Sequence, residues 1–127
     1  MQVLSIEDRT NLPVYNVEEV REACLNYFGE HELATDVTMY KYLLRDEQSR
    51  FREKTPTEMH WRLANEFARI EAKYPNPLSA QQIFDYLDQF ANIVPQGSPM
   101  AGIGNPFQIQ SVSNCFVIET GDSYGWI

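Results

Sequence analysis

Residues 94–127, VPQGSPMAGIGNPFQIQSVSNCFVIETGDSYGWI, decide how the fold is interpreted, because the composition of the chain changes there. Between Gln96 and Asn105 there are three glycines and one proline, too many for any regular element. The apolar run at 115–118, CFVI, then follows Asn114 and precedes a Glu-Thr-Gly-Asp segment. Such a continuous run predicts a β-strand buried on both faces, as in a parallel or mixed sheet.

The residues before this stretch carry helical patterns. Asn16 is a suitable N-cap for a helix over residues 17–28, and Gly29 is a natural stop. A second helix is predicted over residues 32–44. Its apolar face consists of Leu33, Val37, Tyr40 and Leu44. The charged segment at 45–54, RDEQSRFREK, has no clear period and is predicted to be a connection, with the acidic clusters on solvated faces.

Two capping boxes mark a third and a fourth helix. Thr55 and Glu58 form the first box, with proline at the first helical position, and Ser79 and Gln82 form the second. The third helix carries an apolar stripe at helical spacing, formed by Met59, Leu63, Phe67, Ile70 and Tyr74. The inward-facing residues predicted for the fourth helix are Ile83, Leu87 and Phe90.

Composition and charge limit the class of protein. The chain has 127 residues, 43% of them hydrophobic and 22% charged, which are ordinary globular values for one domain. No apolar run approaches the ~20 residues that span a bilayer, and no signal pattern opens the chain, so a cytoplasmic protein without a membrane partner is expected. The net charge of −8 argues against direct nucleic acid binding, which needs clustered Lys and Arg.

The predicted strand needs neighbours, because a single strand cannot bury both of its faces. Since the rest of the chain is helical, its partners are expected on a following segment or on another polypeptide. We therefore divide the chain into a helical N-terminal region, 1–93, and a second region, 94–127, that contains the loop and the strand. The expected fold class is mainly α, with a first β-strand whose sheet is completed elsewhere.

Several segments resemble the catalytic (large) subunit of ribonucleotide reductase. Residues 37–46, VTMYKYLLRD, followed by 53–71, EKTPTEMHWRLANEFARIE, resemble the helical N-terminal region of that family. The loop at 94–105 and the segment at 111–127, SVSNCFVIETGDSYGWI, resemble the loop and first strand of its ten-stranded α/β barrel. The resemblance implies that the second region starts the catalytic barrel. The rest of the barrel would then belong to a split-gene partner or to the missing part of a truncated chain.

The resemblance also implies a reaction. The chain would take part in reducing ribonucleotides to deoxyribonucleotides by a thiyl-radical mechanism, and it would be inactive without the rest of the barrel. Loss of the 2′-hydroxyl as water requires two electrons, which a pair of thiols supplies by closing to a disulfide. Cys115 corresponds to the N-terminal cysteine of that pair. From the residues alone, packing of Cys115 as a small hydrophobe stays open.

Four further residues match nucleotide-binding positions of the family. Ser98 and Asn114 match substrate-binding positions. Asp122 and Ser123 match the allosteric specificity site, where the aspartate accepts a hydrogen bond from the effector deoxyribose. Asn114 departs from the Ser or Ala that is common there, and Trp126 stands where small residues are usual. From the residues alone, ordinary turn chemistry stays open for Ser98, Asn114 and Asp122.

The resemblance implies partners and cofactors that this segment does not bind alone. The partners are the remaining barrel, a ribonucleotide substrate, dNTP or ATP effectors and a thioredoxin-type reductant. The radical would come from adenosylcobalamin or from a metal-containing subunit. No ATP-cone motif precedes the helices, which favours the adenosylcobalamin branch. The radical source, the choice of diphosphate or triphosphate substrate, the effector specificity and the oligomeric state stay open.

A second function class stays open beside catalysis, namely a helical interaction or regulatory module. His31 and His60 are isolated from cysteines and carboxylates at ligand spacing, so no metal site is predicted. Cys24 is expected on the helix face that packs into the core. The large sequence separation between Cys24 and Cys115 suggests no disulfide framework. The two classes differ at Cys115, because a catalytic chain would lose activity in Cys115→Ser whereas a regulator would tolerate it.

Overall fold

The structure is a computed structural model that describes residues 10–117. This part of the chain is mainly helical, as predicted. The helices within it are α1 Val17–Tyr27, α2 Glu32–Val37, a π-helical segment Thr38–Tyr42, α3 Pro56–Glu71, α4 Ala80–Leu87, a 3-10 turn Asp88–Phe90 and α5 Gly97–Gly102. Strand pairing in this range is limited to isolated antiparallel bridges from Phe51 to Tyr15 and Arg45. None of the described helices combines the length and the apolar character needed to cross a membrane.

Helix α1 has the ends and the buried face that the sequence predicts. The Asn16 side chain accepts a hydrogen bond from the Glu19 amide at 2.7 Å and so caps the helix. Gly29 follows the helix with a φ of 60°, a left-handed conformation that glycine adopts without strain. Val20 and Cys24 are fully buried on one face.

The second predicted helix forms, but its second half is π-helical and its buried face differs from the prediction. In the π-helical segment the Leu43 amide donates to the Thr38 carbonyl at 3.0 Å. This wider turn changes which side chains face inward, because it breaks the α-helical spacing on which the prediction depends. Of the four residues predicted to face inward, Leu44 is buried, whereas Leu33 and Tyr40 are exposed.

Helix α3 begins at Pro56 as predicted, but the predicted capping box does not form. The Thr55 side chain makes no capping hydrogen bond within the described range. The Glu58 carboxylate instead accepts from the Lys54 amide at 2.6 Å and from the Tyr15 hydroxyl at 3.3 Å. It thereby ties the start of α3 to the segment that precedes α1.

The apolar stripe of α3 is buried only in its first half. Met59 and Leu63 are fully buried, whereas Tyr74 beyond the helix is 61% exposed. Phe67 and Ile70 are also exposed. Met59 belongs to one core cluster, with Val20, Cys24, Met39, Leu43, Phe51 and Met100. Leu63 belongs to a second cluster that α3 forms with α4, so α3 joins two cores.

Helix α4 is capped as predicted and packs flat against α3. The Ser79 hydroxyl accepts from the Gln82 amide at 3.2 Å, and the Gln82 side chain accepts from the Ser79 amide at 2.9 Å. The Trp61 and Phe84 rings stack with centroids 4.0 Å apart and planes 8° apart. The predicted inward-facing residues Ile83 and Leu87 are buried.

The charged connection at 45–54 is not solvated throughout, contrary to the prediction. Asp46 and Glu53 are only 4% and 3% exposed, respectively. Burial alone would raise the pKa of Asp46, but the Arg50 amide and the guanidinium groups of Arg52 and Arg50 lower that pKa below its ordinary value. Glu53 pairs with a guanidinium of α3. Buried carboxylates need such partners, so Asp46 and Glu53 belong to the buried part of this connection, whereas residues 47–50 are exposed.

The Gly/Pro-rich stretch contains a short helix, which corrects the prediction that no regular element forms there. Helix α5 spans six residues and contacts the π-helical segment. The residues that follow, 103–117, form turns and irregular structure. The strand predicted at 115–118 extends past the described residues. Its described part, 115–117, is exposed and pairs with no described segment.

Candidate functional site

Three of the predicted site residues lie within the described range. Ser98 is half-buried in α5, and Asn114 and Cys115 are exposed in the irregular segment that follows. Asp122 and Ser123, predicted for the effector site, lie outside the described residues. The geometry of the candidate site is therefore that of α5 and the segment around Cys115.

The Asn114 side chain joins the two segments that the resemblance predicts to form a substrate site. Its Oδ1 accepts a hydrogen bond from the Ser98 amide at 2.9 Å, and its Nδ2 donates to the Gln96 Oε1 at 2.7 Å. The Ser98 amide lies in the first turn of α5, where amides have no partner inside the helix. The contact spans 16 positions of sequence, so local turn chemistry does not account for it.

The two cysteines have opposite environments. Cys115 is exposed, whereas Cys24 is fully buried and its Sγ donates to the Lys54 carbonyl at 3.3 Å. Burial, together with the nearby Glu58 carboxylate, raises the pKa of the Cys24 thiol to about 11. Cys24 lies in the core, as predicted, and its thiol stays protonated at neutral pH. Cys115 is the thiol that solvent can reach.

A buried guanidinium attaches the site loop to α3. The Arg62 Nη2 donates to the Met100 carbonyl at 2.8 Å, and Nη1 donates to the Ile103 carbonyl. The Arg62 Nε donates to the Glu53 Oε1 at 2.7 Å, and the Glu53 Oε2 accepts from the Leu44 amide at 2.9 Å. The two side chains are 6% and 3% exposed. This pair links α3, the end of the π-helical segment and the loop that contains α5.

Two glycines allow this loop to approach its neighbours closely. Gly104 has a φ of 72°, and a Cβ at that position would lie 2.9 Å from the Arg62 Cγ. A Cβ at Gly97 would lie 3.2 Å from the Tyr42 ring. A larger residue at Gly104 would both strain the backbone and push the loop away from α3.

Sequence reasoning did not identify Glu53 or Arg62. Glu53 falls in a charged segment of the kind that is usually solvated, and Arg62 is one of several charged residues in α3. The helical spacing offered one signal that Arg62 is buried. Arg62 follows Met59 by three positions and directly precedes Leu63, so it lies at the edge of the buried stripe of α3. The pairing itself requires that the connection fold back onto α3, which no local pattern encodes.

Both histidines have roles in the fold, one as a helix cap and one in the core. The His31 Nδ1 accepts from the Ala34 amide at 3.2 Å and caps α2, and His60 is buried with its ring edge-to-face against Phe90. Within residues 10–117, no group of three His, Cys, Asp or Glu side chains is arranged to hold a metal ion. The chemical group that the candidate site offers is thus the accessible thiol of Cys115, next to a loop held by Asn114.

Comparison with known proteins identifies no relative of this chain. No protein-family model matches it, and no curated protein or solved structure is similar enough to count as a match.

Proposed function

We propose that the chain is the N-terminal part of a ribonucleotide reductase catalytic subunit. The observation that carries the proposal is the Asn114 side chain, which binds the Ser98 amide and the Gln96 side chain directly beside Cys115 in the sequence. The segments that resemble the substrate loop and the redox-cysteine strand of that family therefore meet. A substrate site built from both segments requires such a contact.

In the proposed reaction, Cys115 supplies one of the two thiols that reduce the ribose. The C2′–O bond breaks and the hydroxyl leaves as water. The two thiols give up two hydrogens in total, one to C2′ and one to the departing hydroxyl, and close to a disulfide. A thioredoxin-type dithiol then reopens the disulfide. The second redox cysteine and the thiyl-radical cysteine belong to the remaining barrel.

Cys115 is exposed in this chain, and the proposed role requires that it stay accessible when the barrel covers its apolar neighbours. A redox cysteine must meet the ribose and afterwards the external dithiol, so it has to be accessible from outside the core. Cys24 is enclosed in the core and cannot serve this purpose. The contrast between the two thiols favours Cys115 as the reacting one.

The apolar side chains around Cys115 suit a segment that a barrel covers. Ile109, Phe116 and Val117 are 107%, 71% and 103% exposed, respectively. We propose that residues 115–118 become the first strand of the ten-stranded barrel when neighbouring strands pair with them. Those strands lie on a following segment or on a second polypeptide. Pairing would cover these side chains and satisfy the strand backbone.

The remaining assignments follow from the same proposal. Ser98 and Asn114 contact the ribonucleotide, and Asp122 and Ser123 contact a dNTP or ATP effector. The radical is supplied by adenosylcobalamin or by a metal-containing subunit, neither of which this chain binds alone.

The test is to capture the chain with its partners from its native source and to assay ribonucleotide reduction with and without adenosylcobalamin. We expect a reductase-active complex in which Cys115→Ser lowers activity by at least ~1000-fold, as for other residues that act on the reacting atoms. Cys24→Ala is the matched control and should retain activity, because Cys24 is a core residue. Dependence on adenosylcobalamin would assign the radical source.

Two results would contradict the proposal. One is an assembled complex without ribonucleotide reduction, and the other is a reductase whose activity ignores Cys115→Ser. The second result would favour the helical interaction or regulatory module, because the chain would then bind a reductase without contributing a reacting group.

A further inference from the structure

A half-open cavity lies beside the first half of α3, apart from the thiol of Cys115. Its volume is about 230 Å³. Residues of its wall include Leu12, Pro13, Tyr15, Leu44, Trp61 and Asn65. Drug-sized ligands occupy pockets of roughly 300–1,000 Å³, so this cavity suits a smaller molecule with one ring system.

The charged side chains in the cavity wall already have partners. Glu53 pairs with Arg62 at 2.7 Å, and Arg52 pairs with Asp46 at 3.0 Å. The Glu58 carboxylate accepts the two hydrogen bonds that hold the start of α3. A charged ligand would therefore lose its hydration and find its counter-charges engaged. The wall favours a neutral ligand.

Asn65 is the polar group in this wall that the fold leaves unsatisfied. The residue is 5% exposed, and its Oδ1 has no hydrogen-bond partner among the described residues. Buried polar atoms normally have a partner, and leaving one without is unfavourable. A primary amide carries an acceptor and a donor side by side. Its complement is a molecule that presents an adjacent donor and acceptor on one edge.

Two aromatic residues, Trp61 and Tyr15, line the cavity. The Trp61 ring is fixed by stacking on Phe84, with centroids 4.0 Å apart. The Tyr15 ring is fixed through its hydroxyl, which donates to Glu58. Aromatic walls favour planar rings, which gain contact area and offset stacking.

We propose that this cavity binds a neutral, planar N-heteroaromatic molecule whose amino or lactam edge pairs with the Asn65 amide. Because the Asn65 Oδ1 is buried in the free chain, the Asn65 side chain turns toward the cavity when the ligand enters. The edge then donates to the Asn65 Oδ1 and accepts from its Nδ2, while the ring lies against Trp61 and Tyr15. This site goes beyond ribonucleotide reduction and does not depend on it, because neither Cys115 nor Ser98 is in the wall, to which the loop at 94–105 contributes Gly104.

The test is ligand-observed NMR titration of the full chain with 2-aminopyridine and 2-pyridone, and with toluene as a probe of similar size that lacks the polar edge. We expect the first two probes to bind with Kd on the order of 1 mM or below, as is usual for molecules of this size. Toluene should bind at least ~10-fold more weakly, because it leaves the Asn65 amide unpaired.

Asn65→Leu keeps the shape of the side chain and removes its polar edge. We expect at least ~10-fold weaker binding of 2-aminopyridine, with a melting temperature that is unchanged or higher because an unpartnered buried amide is gone. Asn92→Leu, a matched change at an exposed position outside the wall, should not affect binding. Cys115→Ser should bind normally, which separates this site from the reductase proposal.

Leu12→Trp gives a second, independent variant, since it fills the cavity from the segment before α1. It should abolish binding of 2-aminopyridine. The proposal is wrong if neither polar probe binds, if toluene binds equally well, or if Asn65→Leu and Leu12→Trp both bind 2-aminopyridine as the unmodified chain does.

Discussion

The Arg62→Met variant removes a guanidinium whose carboxylate partner, Glu53, stays buried. Breaking a buried pair in this way costs about 3–5 kcal/mol of unfolding free energy, because the remaining charge has no ionic partner. We expect a correspondingly lower urea midpoint. We also expect faster hydrogen exchange in α5, since the Met100 and Ile103 carbonyls lose the donor that attaches the loop to α3.

Arg69→Met is the matched control on the same helix. Arg69 pairs with Glu66 at 2.6 Å, but its side chain is 45% exposed, so solvent screening should leave stability almost unchanged. If Arg62→Met and Arg69→Met lost similar amounts of unfolding free energy, the loss would come from the change in charge or in helix propensity. In that case the buried pair would not be the anchor of the loop.

His60 should make stability depend on pH. Both ring nitrogens lack a partner among the described residues, and burial lowers the pKa of His60; Asp88 opposes this shift and Arg62 adds to it. The unfolded chain takes up a proton near the ordinary pKa of 6.5, whereas the folded chain does so only at lower pH. The unfolded state thus binds more protons, and the free energy of unfolding decreases as pH falls below about 6.5.

The measurement is urea unfolding between about pH 7 and pH 5. His60→Leu should flatten this part of the profile, because the buried group that takes up the proton is gone. A His60→Leu profile as steep as that of the unmodified chain would exclude His60 as the cause.

At the scale of helices, the two predicted capping boxes differ in the hydrogen bonds that form. Ser79→Ala should lower the free energy of unfolding by about 1 kcal/mol, because the Gln82 amide loses its acceptor. Thr55→Ala should cost clearly less, since the Thr55 side chain makes no capping bond in the described structure. Thermal denaturation of the two variants checks this, and equal losses would show that both caps form in solution.

The link between α5 and the segment around Cys115 can be tested at Asn114. Asn114→Ala removes the acceptor of the Ser98 amide, so we expect that amide proton to exchange faster with solvent. Ser111→Ala removes a nearby hydrogen bond to the Ser113 amide and should leave Ser98 unaffected. Unchanged exchange at Ser98 in Asn114→Ala would mean that the bridge does not persist in solution.

At the scale of the whole molecule, the labelling rates of the two cysteines should depend on different properties, namely surface exposure for Cys115 and opening of the core for Cys24. In the native state, a thiol reagent at pH 8 should label Cys115 quickly, because Cys115 is exposed. Cys24 is buried with a pKa raised to about 11, so its labelling should require opening of the core. Mass spectrometry of peptides over time measures both rates.

Arg62→Met should speed labelling of Cys24 and leave that of Cys115 unchanged, because only Cys24 depends on the stability of the core. Rapid native-state labelling of Cys24 would contradict its burial in the core cluster that α1 shares with Met59 of α3. The two rates together therefore separate the folded core from the exposed segment that contains the candidate site.

The sequence by itself determined the features that neighbouring residues decide. The cap at Asn16, the stop at Gly29, the capping box of Ser79 and the buried residues Val20 and Ile83 all follow from groups within one or two turns. These interactions form wherever the helix forms, so a local pattern predicts them. The mainly helical character of residues 10–117 follows in the same way.

Only the tertiary structure decided the contacts between distant segments. Glu58 bonds to Tyr15 instead of completing a cap, Asn114 reaches Ser98 across the loop, and Glu53 is buried against Arg62. Each contact joins groups that are nine or more positions apart, and its free energy depends on burial that arises only when the helices pack. A charged or polar residue has the same local pattern whether it ends in solvent or in a core, and packing makes that choice.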